Sequence, residues 1–243
     1  MRSELGGTIL WLTGWSMSDK VFDRLRELLP DFHHVSIDYS AAASSEDILH
    51  LTETAAKNLL SLGSGPVLIG GWSLGGLLAL KLADQELADG LVLLSATARF
   101  TRPKEQRNRG WADAYVRQMI TGLRKDRQAI ESKFSQMVFT ESETEADLRN
   151  NHPLIGNWTT PALIAGLEVL RNVECLSRIP AIHCPVLLIH GTGDKICPYA
   201  AAEELLTLLP QAKLLAIPNS GHAPFLGRED HIAESIRSWW HDQ

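Results

Sequence analysis

The chain has 243 residues, 44% of them hydrophobic and 21% charged, and a formal net charge of −6 at pH 7. Such a chain buries a sizeable core as one large domain or one domain with an insertion. The acidic balance argues against general nucleic-acid binding, and no apolar run approaches the roughly 20 residues of a membrane span.

In chain order, apolar runs alternate with helical spacing. Thr8 to Leu12 reads as a buried strand ending near Gly14, and Phe22 to Leu29 as a helix stopped by Pro30. His34 to Ile37 comes next as a strand, Glu46 to Leu62 as a helix, Val67 to Gly70 as a strand and Leu74 to Ala83 as a helix. Leu91 to Leu94 is a further strand. Beyond Ala98 the texture becomes polar and helical until about Pro180. The alternation then resumes with strand Val186 to Ile189, helix Ala200 to Leu209, strand Lys213 to Ile217 and helix His231 to Trp240. Alternation of this kind predicts an α/β fold, a mostly parallel sheet covered on both faces. Residues 1–98 and 181–243 form the expected core, with 99–180 as a helical cap inserted over one end of the sheet.

The N-terminus lacks the charged, apolar and small-residue succession of a signal peptide. Cys175, Cys184 and Cys197 have no metal-site spacing and cannot all pair, so a reducing cytoplasm is the expected setting. Between Arg99 and Arg127 nine Lys or Arg face three acids, +6 within a chain of −6. That stretch reads either as a solvated helix face or as a patch attracting an acidic partner.

The segment GWSLGGLLAL, Gly71 to Leu80, places Ser73 between glycines where a strand meets a helix. A G-x-S-x-G turn is so tight that flanking side chains would collide. It holds the serine strained and exposed beyond the carboxyl end of the strand, where parallel sheets bind ligands. The helix behind it supplies free N–H groups and a positive dipole end. A serine hydroxyl needs a base, and the base needs an orienting group. On this architecture the order is Ser, then Asp or Glu, then His. Asp194 in VLLIHGTGDKICP lies 121 residues beyond Ser73, and His222 in LLAIPNSGHAPF lies 28 beyond Asp194. Both occupy loops after strands.

Competing residues read as structural. His190 ends a strand and suits a packed or loop-bonding role, Asp38 precedes Ser73 and is out of order, and Cys197 reads as a small buried side chain. His33 and His34 have no metal-like spacing. His50, His152, His183, His231 and His241 fall on helices or connections outside the motif order. The oxyanion donors are expected to be the backbone N–H groups of Leu74, after the nucleophile, and Trp15, in the loop after the first strand. One such donor is worth about 3 kcal/mol in the transition state. Trp15 also suits a wall of the substrate pocket. No metal or organic cofactor is needed for this chemistry.

With Ser73, Asp194, His222 and the TGW loop assembled, the chain resembles an α/β-hydrolase, and in particular the pimeloyl-[acyl-carrier protein] methyl ester esterase family of biotin synthesis. The likeness rests on GWSLGGLLAL, on GHAPF around His222 and on AGLEVLRNVE at Ala165 to Glu174. It implies hydrolysis of a methyl ester on an acyl chain held by an acidic carrier protein. It also implies cap arginines for the carrier's phosphopantetheine arm, and an aromatic residue lining the acyl tunnel. By position Phe134 is that aromatic, and Arg124 and Arg127 stand for the arginines. Thr13 occupies the place where the family commonly has His, and the first β-hairpin is truncated, so about six strands are expected. The alternatives are a general carboxylesterase on small acyl esters, a lyase or haloperoxidase, or a non-hydrolytic binding protein of the same fold. A monomer is expected, with no membrane or nucleic-acid partner.

Overall fold

The structure, a computed structural model, describes residues 6–148 and 154–243. Six strands form one sheet: β1 (Thr8–Leu12), β2 (His33–Ser36), β3 (Val67–Trp72), β4 (Gly90–Leu94), β5 (Val186–Gly191) and β6 (Ala212–Ile217). Every pairing is parallel, in the order β2-β1-β3-β4-β5-β6. The four inner strands are buried along their whole length, which is why they read as near-continuous apolar runs. The edge strands β2 and β6 are only partly buried.

Flanking this sheet are α1 (Asp23–Leu28), α2 (Ser45–Leu62), α3 (Leu74–Asp84), α8 (Tyr199–Leu208) and α9 (Glu229–His241). Between β4 and β5 lie α4 (Asp113–Leu123), α5 (Arg127–Met137), α6 (Glu141–Glu145) and α7 (Thr160–Asn172). No helix among the described residues is long and apolar enough to cross a membrane.

The expected elements are present with shifted ends. The helix expected from Phe22 to Leu29 is α1, preceded by a 3-10 turn, Asp19–Phe22, that the Ser18 hydroxyl caps by accepting from Lys20 N. Strand β3 runs two residues further than expected, through Gly71 and Trp72. A Cβ on Gly70 would lie 2.5 Å from the Trp11 ring, and one on Gly71 would lie 2.4 Å from the Gly75 carbonyl oxygen. Close approach, and not a break in the strand, is what requires glycine there.

From β1 the chain passes to β2 on one side and then to β3 on the other. The sheet order therefore reverses between β1 and β3, the point where open parallel sheets carry their ligand crevice. The helical segment leaves this rim and returns through one facing pair: Arg99 bridges Glu174, and Cys175 N donates to Ala98 O at 2.8 Å.

Two carboxylates tie the segment to the core. Glu204 on α8 receives the buried Arg102 guanidinium through two nitrogens and Arg109 Nη1 at 2.9 Å. Glu143 on α6 accepts Ser220 Oγ at 2.6 Å, Gly221 N at 2.9 Å and Thr140 N at 3.1 Å, and faces Arg228 at 3.1 Å. Burial alone would raise the Glu143 pKa. The Ser220 hydroxyl, the two amides and the Arg228 charge outweigh it and hold the carboxyl below its ordinary value.

In Gly75→Ala the added methyl would sit 2.0 Å from the Leu12 carbonyl oxygen, backbone that cannot yield cheaply. Its loss of stability should reach about 3 kcal/mol, the upper end for overpacking. In Gly63→Ala the site is open space at φ +60 and the cost should be about 1 kcal/mol; denaturant midpoints compare the two. Glu143→Gln should lower stability at pH 7 by about 1–3 kcal/mol. Because the folded pKa is depressed, that contribution is complete above the unfolded value of about 4.3 and disappears as pH falls through the folded one. Unfolding curves of wild type and variant should therefore stay apart from pH 7 down to about 4.3 and converge as the pH falls further.

Candidate active site

Ser73 sits between β3 and α3 with φ 57 and ψ −111, outside the regions comfortable for a residue with a side chain. Such strain costs of order 1–3 kcal/mol and persists only where surroundings enforce it. Here Ser73 N donates to Leu94 O at 3.0 Å and Ser73 O accepts from Leu77 N at 3.1 Å. Gly71 and Gly75 flank the turn with no room for Cβ atoms, and Gly76 lies where a Cβ would meet Ala96 at 2.5 Å.

Asp194 and His222 stand in adjacent loops because β5 and β6 are adjacent strands. His222 Nδ1 and Asp194 Oδ2 are 2.8 Å apart, with both side chains buried. The other oxygen, Oδ1, accepts Ile196 N at 2.8 Å and Cys197 N at 2.9 Å. Burial would push the Asp194 carboxyl up. The His222 charge and hydrogen bond, His190 and the Cys197 amide prevail and hold it below the usual carboxylate range. His222 is placed in turn by Trp72 Nε1, which donates to His222 O at 2.7 Å, and by His222 N, which donates to Val138 O at 2.7 Å.

The Ser73 hydroxyl is near enough to the Cys197 thiol to act on its ionisation, and His222 Nε2 is buried without a hydrogen-bond partner among the described residues. Cys197 is thus a small buried side chain, as read from sequence, and also the neighbour of the nucleophile candidate. Burial and the Asp194 charge push its thiol well above the ordinary value. His190 is buried, donates through Nε2 to Cys197 O at 2.7 Å, and lies 3.5 Å from Asp194 Oδ2; burial lowers its pKa. The loop-bonding role expected for His190 therefore includes bracing the turn that carries Asp194.

Among the other titratable candidates, Asp38 caps its own loop by accepting Ser40 N at 2.8 Å. His34 Nδ1 accepts from Trp11 Nε1 at 3.1 Å. His33, His50, His183, His231 and His241 are exposed, and His152 lies outside the described residues.

The loop after β1 carries Trp15. Met17 N donates to Gly14 O at 3.2 Å, closing a turn with Trp15 and Ser16 at its centre. Ser16 alone of the two has positive φ, 65, the pattern of a type II turn. Thr13 hydrogen-bonds the buried Tyr39 hydroxyl through Oγ1 at 3.1 Å, and that hydroxyl donates to Thr13 O. Burial pushes the Tyr39 phenol far up. The Trp15 indole donates to Leu163 O at 2.7 Å, and its ring meets Phe134 edge-on at 4.9 Å. Tyr39 and Leu163 were missed in the sequence, since nothing local marks a tyrosine 26 positions away as the support of a loop.

Phe134 is buried and lines a cavity of about 550 Å³ between α4 and α5, with Trp111, Tyr115, Met119, Ile130 and Met137 as its apolar wall and Arg107 and Lys133 among its cations. Ser73 and His222 are not among its lining residues. The Phe134–Trp15 pair connects it to the loop after β1. Arg124 is exposed at the end of α4. Arg127 is bound internally, Nε donating to Glu131 Oε2 at 2.6 Å. Much of the basic stretch is likewise engaged within the chain, Arg102 and Arg109 by Glu204 and Arg117 by Asp113.

In comparison with known proteins, residues 9–234 match the alpha/beta hydrolase family. A pimeloyl-[acyl-carrier protein] methyl ester esterase of Nitrosomonas europaea is 32% identical over 233 residues, covering 91% of this chain and 90% of the relative. Among solved structures, an esterase from Exiguobacterium antarcticum superposes with TM-score 0.80 at 21% identity, over 98% of this chain and 93% of the other. A bromoperoxidase from Bacillus anthracis does so with TM-score 0.81 at 15% identity, over 96% and 91%. At such identities the structural likenesses speak to fold alone. From the match along nearly the whole chain, the protein belongs to the alpha/beta hydrolase family, as an ester-cleaving enzyme related to the pimeloyl-[acyl-carrier protein] methyl ester esterases.

Proposed function

We propose that Ser73 is the nucleophile of this esterase, with His222 as its base and Asp194 as the group that orients the base. The supporting observation is the buried Asp194–His222 pair, whose outward nitrogen Nε2 has no partner among the described residues and lies at the rim that carries Ser73. In this reading the Ser73 hydroxyl gives its proton to Nε2 and attacks the ester carbonyl. Asp194 stabilises the resulting imidazolium. The N–H groups of Trp15 and Leu74 bind the oxyanion. His222 then protonates the departing alcohol, and a water deprotonated by His222 releases the acid and restores Ser73.

The proposed substrate is a methyl ester of an acyl chain on an acyl-carrier protein, in biotin synthesis, as the name of the Nitrosomonas europaea relative suggests. Residues 99–180 act as the cap, and the cavity lined by Phe134 takes the acyl chain. Arg124, exposed at the end of α4, is placed to meet an acidic carrier. A cytoplasmic monomer belongs to the same reading, in keeping with three free cysteines. The second reading is a general carboxylesterase. It is favoured by the engagement of Arg102, Arg109, Arg117 and Arg127 with acids of this chain, which leaves fewer cations for a carrier.

Ser73→Ala should reduce hydrolysis of a short p-nitrophenyl ester by about 10³-fold or more, and a fluorophosphonate probe should label wild type at Ser73. Wild-type turnover by the variant would end the proposal. Methyl esters of increasing length, free and carrier-linked, separate the two readings: preference for a carrier-linked seven-carbon diacid monoester supports the first. Under that reading Arg124→Glu should raise KM for the carrier-linked ester several-fold and leave the free ester unaffected.

A further inference from the structure

Helix α5 reaches the loop after β1 with two side chains from one face, three positions apart. Phe134 places its ring against Trp15, and Glu131 accepts a hydrogen bond from Ser16 Oγ at 2.6 Å. Glu131 is buried, and its other oxygen is held by Arg127 Nε at 2.6 Å. A carboxylate in such a place is costly unless its partners are fixed. It spends one of its bonds on a residue whose backbone is itself uncomfortable, Ser16 at φ 65.

We propose that Glu131 is a positioning residue for the oxyanion hole: from the inserted segment it holds Ser16 left-handed, and thereby fixes the peptide plane whose N–H belongs to Trp15. In a trans peptide the C=O and the following N–H point oppositely. Gly14 O is held by Met17 N at 3.2 Å, so the Gly14–Trp15 plane is set, and with it the direction of the Trp15 N–H. In its type II form the turn needs positive φ at the second central position, which glycine adopts freely and serine does not. The Ser16 hydroxyl bond to Glu131 supplies what the backbone lacks. Gly156 N, donating to Ser16 O at 2.9 Å, restrains the same residue from a second side but leaves its φ preference unchanged. Arg127 is then a support for the carboxylate rather than a free cation for the substrate.

The proposal rests on the esterase reading for its functional meaning, with Trp15 N–H as oxyanion donor, but its structural half is testable without turnover. Glu131→Ala should lower kcat on a short p-nitrophenyl ester at least tenfold with KM within about twofold. In the Ser16→Gly background the same Glu131→Ala change should cost less than about threefold, because glycine holds the turn unaided. In protein labelled with 15N-tryptophan, the Trp15 backbone amide signal should move in Glu131→Ala and return when Ser16→Gly is added. Circular dichroism and a thermal melt identify any variant that fails to fold, and the aromatic control Phe134→Leu separates lost ring packing from the lost carboxylate. If Glu131→Ala keeps wild-type kcat, or if its loss is the same with and without Ser16→Gly, Glu131 does not act through residue 16 and the proposal is overturned. If wild type itself neither turns over the ester nor labels at Ser73, the esterase reading fails, while the Trp15 amide signal still decides for or against the clamp.

Discussion

A fully buried carboxylate, Asp194, is the constraint around which the rim of the sheet is organised. An isolated charge in such a place would cost several kcal/mol, so its partners are structural necessities. Ile196 N and Cys197 N hold one oxygen and His222 the other, with His190 bracing the turn from beneath. Those partners can meet only if the loops after β5 and β6 lie side by side, which parallel pairing of these two strands guarantees. Trp72, next to Ser73, donates through Nε1 to His222 O, so the carboxylate's cradle is tied to the strained elbow after β3.

The helical segment between β4 and β5 is more than a cover over that unit. Its Glu143 grips the loop that carries His222, and its Glu131 grips the loop that carries Trp15. Glu204 grips it in return from the core. Each tie joins a carboxylate to backbone amides, a hydroxyl or a guanidinium with directional geometry, and bonds to charged groups are the stronger kind. A position shift in the segment is therefore felt on both sides of the proposed nucleophile.

Most of the sheet was legible in the sequence because inner parallel strands leave a plain trace, short apolar runs bounded by Gly or Pro. The ends were less so. Gly71 reads as a turn residue although close neighbours make it strand, and β2, at an edge, is too polar for its bounds to be read closely. The elbow at Ser73 was legible because its motif is local. Asp194 and His222 were legible because the topology dictates the chain order in which their loops reach the same rim. Tyr39, Glu131, Glu143 and Glu204 were not. Each looks in sequence like an ordinary polar residue of a loop or helix, and its importance comes from a partner 26 to 115 positions away. The basic stretch misleads for the same reason: charge counted along the chain does not reveal that Arg102 and Arg127 are already paired.

The facing pair Arg99 and Glu174, with Ala98 and Cys175 beside it, is a narrow neck through which some seventy residues leave and return. A stretch whose chain enters and leaves at one neck belongs to no strand of the sheet ladder and imposes no length on the strands it separates. It can lengthen, shrink or be exchanged for another without unravelling β4 or β5, provided the few loop-gripping carboxylates are replaced in kind. Under the proposed function, the part that meets the substrate can thus be exchanged as one cassette while the sheet and the loops after its strands keep their places.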